Sequence, residues 1–355
     1  MTDKVRYDWI DAAKAISILL VTMMHCTRLT EPLGIEAPLV EAANAPLSAV
    51  RMPLFFVVSG VFAASAVSRS WSDLLQRKVA LFVWLLFIWS VVRFLFVSYV
   101  MPNPDNPLEG TRLAEIFEVF IEPKTGIWFL WSLAVFFVVT KMLKDTAPRI
   151  GAVVAVLVAG VANAEFAGVN ATLAYAFDSL AYGNSLSYFA FFYVGCCFPQ
   201  IIKAVGNARL LPSLFASWAA FLIILVGDDA ASAMLIPGLD KLLKSIAGVT
   251  AMLFTARILM HLPIVSGLLE YIGQKTLAIY VAQVPVISVL SFVAVKLGAD
   301  RMGVLENAVP VILTPVVVVM TLGVQMIAVR AKAGWLYELP KVPGARRGPT
   351  ATPAA

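Results

Sequence analysis

Apolar residues run through this chain in blocks of about 17–23, broken by short polar stretches. A membrane-crossing helix needs about 20 mostly apolar residues. Ten such stretches are predicted: 9–27, 47–67, 78–100, 126–143, 150–168, 186–202, 210–226, 242–260, 276–297 and 308–329. The fifth and seventh are the weakest, being short or rich in glycine. Turn chemistry lies between them, as in Pro102-Asn103-Pro104-Asp105-Asn106-Pro107, Gly206-Asn207 and Gly227-Asp228-Asp229. No fixed-period repeat is visible. The fold class expected is an all-α polytopic membrane protein of about ten helices, over residues 1–330. A Pro-, Ala- and Arg-rich tail, 331–355, is expected to be disordered and cytoplasmic.

Composition supports the membrane reading. The 355 residues are 60% hydrophobic and 14% charged, against about 25% charged in an ordinary soluble domain. Mean hydropathy is +0.86. This excludes a disordered scaffold, a disulfide-stapled secreted domain and a nucleic-acid-binding module. Cys26, Cys196 and Cys197 have no metal-ligand spacing and are expected to be buried thiols, and no metal site is expected. The first apolar run carries Asp11 and Lys14 and ends without a small-residue cleavage site, so no cleavable leader is expected.

Charge sets the expected orientation. With both termini cytoplasmic, 17 of the 27 Lys and Arg fall in cytoplasmic segments and seven in the opposite loops. Lys14, Arg51 and Arg93 fall within spans. Cytoplasmic loops of membrane proteins carry this basic excess. Fifteen of the 22 acidic residues lie on the other side.

Ionisable groups inside a span cost about 2.5–3.5 kcal/mol each on insertion scales and usually mark function. The first span holds Asp8, Asp11, Lys14 and His25. Eleven residues at about 100° each bring Lys14 and His25 to within about 20° of one face, about 16 Å apart in rise. Ser17 and Val21 fill the same stripe. Asp11, one turn before Lys14, can neutralise it. As interfacial anchors, Asp8, Asp11 and Lys14 would instead snorkel to the headgroups, and His25 would be a packed, hydrogen-bonded side chain. His261 follows the eighth span, where a solvated role is expected. In the second span, Arg51 enters from the outer side and Ser59-Gly60 lie near mid-depth, where small residues also serve helix packing. Arg77-Lys78 opens the third span as a topology signal or as a phosphate-binding pair.

Several blocks carry a family resemblance. Arg6-Tyr7-Asp8-Trp9-Ile10-Asp11-Ala12-Ala13-Lys14, continuing to His25, resembles the first helix of the integral-membrane acyltransferase 3 family, and most of all its fucose 4-O-acetylase-like branch. Met52-Pro53-Leu54-Phe55-Phe56-Val57-Val58-Ser59-Gly60, Trp128-Phe129-Leu130, Phe192-Tyr193-Val194-Gly195 and the 269–280 block ending Thr276-Leu277-Ala278-Ile279-Tyr280 resemble later family motifs, in order. Two positions depart from the pattern. Lys78-Val79-Ala80-Leu81 follows Arg77 without the usual second Arg, and Gln283 stands where the late motif usually ends in His.

The resemblance implies transfer of an acyl group, commonly acetyl, from cytoplasmic acyl-CoA to a hydroxyl of an extracytoplasmic glycan or glycolipid. The location it implies is the inner (plasma) membrane. His25 is then the base or acyl relay, with Lys14 and Asp11 in the catalytic set. Arg51, Ser59 or Tyr280 would serve the oxyanion or acceptor. Arg77 and Lys78 would bind acetyl-CoA, whose pantetheine arm follows a channel along the Lys14–His25 stripe. The expected partners are the acyl-CoA, the acceptor and the lipid bilayer, with no nucleic acid and no metal. The rival class is a transporter or flippase for a small anion or lipid-linked sugar, which related halves or paired broken helices would favour. Neither is visible in the sequence.

Overall fold

The computed structural model describes residues 8–102, 109–164, 179–227 and 238–340, all helix, turn or coil with no strand among them. Twelve helices carry the fold: α1 (Asp8–Thr30), α2 (Pro38–Val67), α3 (Trp71–Tyr99), α4 (Trp128–Thr146), α5 (Pro148–Asn163), α6 (Tyr182–Cys197), α7 (Pro199–Asn207), α8 (Leu210–Val226), α9 (Leu239–Leu259), α10 (Pro263–Gln274), α11 (Thr276–Lys296) and α12 (Ala308–Arg330). Each of the ten expected stretches falls on helix over its described residues; 165–168, the end of the fifth, lie outside them. Among the described residues, six helices are long and apolar enough to cross a membrane: α1, α2, α3, α9, α11 and α12. A seventh counts if α6 and α7 form one bent span. The helices α5 and α8 are shorter, at 16 and 17 residues, and α4 ends in Lys141, Lys144 and Asp145.

The chain is thus a polytopic helical membrane protein, with three departures from the sequence pattern. The stretch 186–202 is not one straight helix: α6 and α7 meet at 72°. Pro199 begins α7, and proline pushes the residue before it out of the helical region; Phe198 sits at φ −127°, ψ 50°. That break leaves Cys197 at a helix end and partly exposed, against the expectation of three buried thiols; Cys26 and Cys196 are buried. Residues 263–274, read as loop, form α10, which buries Leu269, Ile272 and Gly273. Residues 335–337, early in the expected tail, pack against α3. Trp84 Nε1 and Trp89 Nε1 donate to the Trp335 and Leu336 carbonyls, each at 2.8 Å. Tyr337 packs its ring 5.6 Å from Trp89, and burial pushes its phenol up to about 12. Residues 341–355 lie outside the described residues.

At the centre stands α1, packed on α2, α9, α10, α11 and α12. Its acidic first turn and Arg28 in its last match the helix dipole. Close crossings are made on glycine. A Cβ at Gly60 would lie 2.2 Å from the Phe192 carbonyl, and one at Gly195 2.1 Å from the Val57 carbonyl, so α2 and α6 touch backbone to backbone. Gly273 of α10 does the same on α1, where a Cβ would lie 2.1 Å from the Asp11 carbonyl.

Candidate functional site

The two ends of the α1 stripe face different surroundings. At one end Lys14, partly buried, places Nζ 4.9 Å from the centre of the Phe62 ring. Asp11 and Lys78 are the charges that act on it. Asp11 is buried where α10 crosses α1. Lys78 lies in a π-helical turn, Leu75–Val79, at the head of α3. Such turns carry one extra residue and recur at functional sites. Arg77 points elsewhere: its guanidinium pairs with Asp73 at 3.2 Å and both are largely exposed. The structure therefore brings together Asp11, Lys14 and Lys78, with Arg77 beside them but engaged. Lys141 is buried at the end of α2, donating to the Val67 and Arg69 carbonyls at 3.1 and 2.7 Å.

At the other end His25 is partly buried, and Arg28, Arg51 and Arg93 are the charges that act on it. Arg51 Nη1 donates to the Asn44 carbonyl and Oδ1, both at 3.3 Å, and Asn44 Nδ2 donates to Thr27 on α1 at 3.2 Å. Ser17 donates to the Arg51 carbonyl at 2.6 Å, which fixes the α1–α2 register. Gly126, just before α4, faces the imidazole: a Cβ there would lie 3.8 Å from His25 Cε1. Tyr280 holds that turn, its hydroxyl donating to the Gly126 carbonyl and accepting from Phe129 N–H. The proton assigned to an oxyanion is thus engaged with backbone, and Tyr280 positions the turn. Ser59 lies two turns along α2 from Arg51, about 12 Å in rise on the Lys14 side, and the structure does not bring it to His25. His261 is exposed in the turn after α9, at the Lys14 end.

The stripe between the two ends is filled. Ile18, Val21, Met52, Phe55, Phe129 and Tyr280 close on one another with no room for a water molecule. The expected channel is therefore shut at mid-depth, because three aromatic rings from α2, α4 and α11 pack on the small face of α1. Beside the seam, Thr22 Oγ1 lies 2.9 Å from both the Ile18 carbonyl and Gln283 Oε1. Gln283 is 1% exposed, and its Nε2 has no partner among the described residues.

Sequence reasoning missed what lies beyond His25, a polar cavity of about 520 Å³ between α3 and the chain that leads to α4. Arg93 and Ser90 form its α3 wall, and Thr125 lines it next to Gly126, the residue that faces the imidazole; His25 itself is not in the lining. Arg93 Nε meets Glu109 Oε1 at 2.5 Å, with both side chains mostly buried. The covering chain is anchored at several points: Ser98 donates to the Gly110 carbonyl at 2.6 Å, Trp131 Nε1 to the Phe120 carbonyl at 2.9 Å and Tyr182 to the Ile121 carbonyl at 2.6 Å. Arg93 was visible as an intramembrane cation. Glu109 was not, because nothing in the sequence pairs two residues sixteen apart across a turn.

The profile of the acyltransferase domain, acyltransferase 3, matches residues 7–330. A relative in Escherichia coli (strain K12), inner membrane protein YcfT, is 25% identical over 158 residues, 39% of this chain and 44% of that protein. The chain thus spans less than half the length of the curated relative it matches. No solved structure matches. With a profile match over nearly its whole length and a polytopic helical build, the chain belongs to the acyltransferase 3 family of membrane proteins.

Proposed function

We propose that the protein moves an acyl group, acetyl first among candidates, from cytoplasmic acyl-CoA to a hydroxyl of an extracytoplasmic glycan or glycolipid. Both termini are cytoplasmic in this reading, and the membrane is the inner one. The observation that carries it is His25 facing Gly126, one residue from Thr125 in the cavity wall, with Lys14 at the far end of the same helix face and Lys78 of α3 acting on it. A membrane enzyme with donor and acceptor on opposite sides needs a base between them. Histidine is suited to this because its ordinary titration range lies near neutrality.

In the direct route, His25 takes the acceptor hydroxyl proton as its oxygen attacks the thioester carbonyl. An oxygen–carbon bond forms, the carbon–sulfur bond breaks, and the CoA thiolate leaves with the proton from the imidazolium. Arg51 supplies positive charge to the oxyanion between these steps. In the relay route the imidazole nitrogen attacks the thioester carbonyl, the carbon–sulfur bond breaks and CoA leaves as the thiol with the ring N–H proton; the acceptor oxygen then attacks the acyl-imidazole, and its proton goes to the freed nitrogen. Both routes need the seam to open. Met52 is the flexible member of that seam, an unbranched side chain that repacks readily. Lys14 and Lys78 attract the phosphates of the donor, Asp11 sets the local charge around Lys14, and Tyr280 keeps Gly126 against His25. The test is purified protein with labelled acetyl-CoA and a glycan acceptor, following released thiol and labelled ester. His25→Gln at matched protein level is expected to lower transfer by about 10²–10⁴-fold, the usual contribution of a general base. Retention of more than half the activity would remove His25 from the chemistry.

A further inference from the structure

One buried side chain beside the closed seam keeps a hydrogen-bonding capacity that the fold leaves unused. Thr22 and Gln283 form the layer next to the seam. Thr22 follows the seam residue Ile18 by one turn of α1, and Gln283 follows the seam residue Tyr280 by one turn of α11. His25 lies a further three residues along α1. Val284, next to Gln283, flanks Gly126 together with the imidazole: a Cβ on Gly126 would lie 3.5 Å from Val284 Cγ2 and 3.8 Å from His25 Cε1. The Gln283 amide therefore stands between the seam and the imidazole along the α1–α11 contact.

Its partners are too few. Thr22 Oγ1 lies 2.9 Å from both the Ile18 carbonyl and Gln283 Oε1, and a hydroxyl has a single proton to give. The Gln283 Nε2 group carries two N–H donors and has no partner among the described residues. A buried donor left in this state is costly, and native proteins rarely keep one without a use. An apolar side chain of the same shape would fill the place without that cost. The other groups considered for the oxyanion are engaged with their own chain. Tyr280 is held by the Gly126 carbonyl and the Phe129 amide, and Arg51 by Asn44.

An unused amide N–H recognises an oxygen that accepts. Of the two reactants, the acceptor hydroxyl offers a proton, which His25 takes. The thioester carbonyl oxygen can only accept, and it gains negative charge as the attack proceeds. Resting on the acyl-transfer reading, we infer that Gln283 is a catalytic residue: once the seam opens, its Nε2–H donates to the thioester carbonyl oxygen, and most strongly to the oxyanion that follows. Thr22 holds the other end of the amide. The N–H proton stays on nitrogen throughout, so His25 remains the group that takes up the proton.

The test exploits the shared contact. Gln283→Leu and Thr22→Val remove the same α1–α11 hydrogen bond from opposite sides. An amide that only joins helices predicts equal losses. Donation to the reacting carbonyl predicts unequal ones. The full chain in lipid nanodiscs is assayed with labelled acetyl-CoA and a panel of p-nitrophenyl hexosides as acceptors. Gln283→Leu is expected to lower kcat by about 10²–10³-fold, the scale of one oxyanion donor, with the KM for acetyl-CoA within about twofold. Thr22→Val is expected to lower kcat by less than about tenfold, since the N–H donor remains. Gln283→Met, which keeps the length without the N–H, serves if the Leu variant does not reach the membrane. A second readout needs no acceptor. The infrared carbonyl band of acetyl-CoA, isotopically labelled at the carbonyl carbon and bound to the protein, is expected below its free frequency in the parent and in Thr22→Val, and at the free frequency in Gln283→Leu. Equal kinetic losses in the two variants overturn the inference, as does a bound carbonyl band that Gln283→Leu leaves unmoved. If the band responds to Gln283→Leu while the parent forms no ester on any hexoside, the carbonyl site stands and the acyl-transfer reading fails. If ester forms and the two variants lose alike, the reading stands and Gln283 only joins the helices.

Discussion

Tyr280, expected at the oxyanion, and Lys78, expected at the donor, stand in very different surroundings. The Tyr280 hydroxyl bridges the Gly126 carbonyl and the Phe129 amide, so it holds the start of α4 against His25. Tyr280→Phe leaves these buried backbone groups short of a partner, at a cost of about 1–3 kcal/mol. Thermal unfolding should register that loss. Turnover should fall with the KM for acyl-CoA unchanged, because the residue lies far from the Lys14 end. Lys78 makes the opposite prediction. It acts on Lys14 whereas Arg77 is engaged with Asp73. Lys78→Ala should therefore raise the KM for acyl-CoA by about tenfold, the loss of one charge-assisted contact, and Arg77→Ala by clearly less. Equal effects would show that the Arg77–Asp73 pair opens when the donor arrives.

Among the elements, the register of α1 was legible because intramembrane charge is rare and the eleven-residue spacing fixes a face. Lys14, Ser17 and Val21 were placed by periodicity alone. The cavity was not legible. Its walls come from a span, a turn and a loop, and the ion pairs that build it join residues with no periodic relation. The helix α10 was hidden for another reason: twelve residues with three buried positions lack the length of a span. Its crossing of α1 yields a contrast within one helix. Gly273→Ala would thrust a methyl into the Asp11 backbone and is expected to cost about 1–3 kcal/mol, as overpacking does. Gly267→Ala, with nothing within 4 Å of its Cβ, is expected to stay within about 0.5 kcal/mol of the parent. Denaturant titration in detergent compares the two. Equal losses would remove the close crossing as the reason that glycine sits at 273.

For the whole molecule, ten of the twelve helices were anticipated from apolar runs, yet only six or seven reach the length and composition of a span. The difference lies in the bend at Pro199, the two short helices and the charged end of α4. What unifies the molecule is one helix, α1, with a cationic group at one end, a histidine beside a polar cavity at the other, and a closed seam between. That arrangement makes transfer across the membrane the central claim. The direct measurement is in proteoliposomes of defined orientation, with radiolabelled acetyl-CoA only on the side of the N-terminus and a saccharide only on the other. Labelled ester is expected on the far side, reduced by about 10²-fold or more in His25→Gln. Ester that forms only when donor and acceptor share one side, or that persists at more than half the parent rate in His25→Gln, would contradict it.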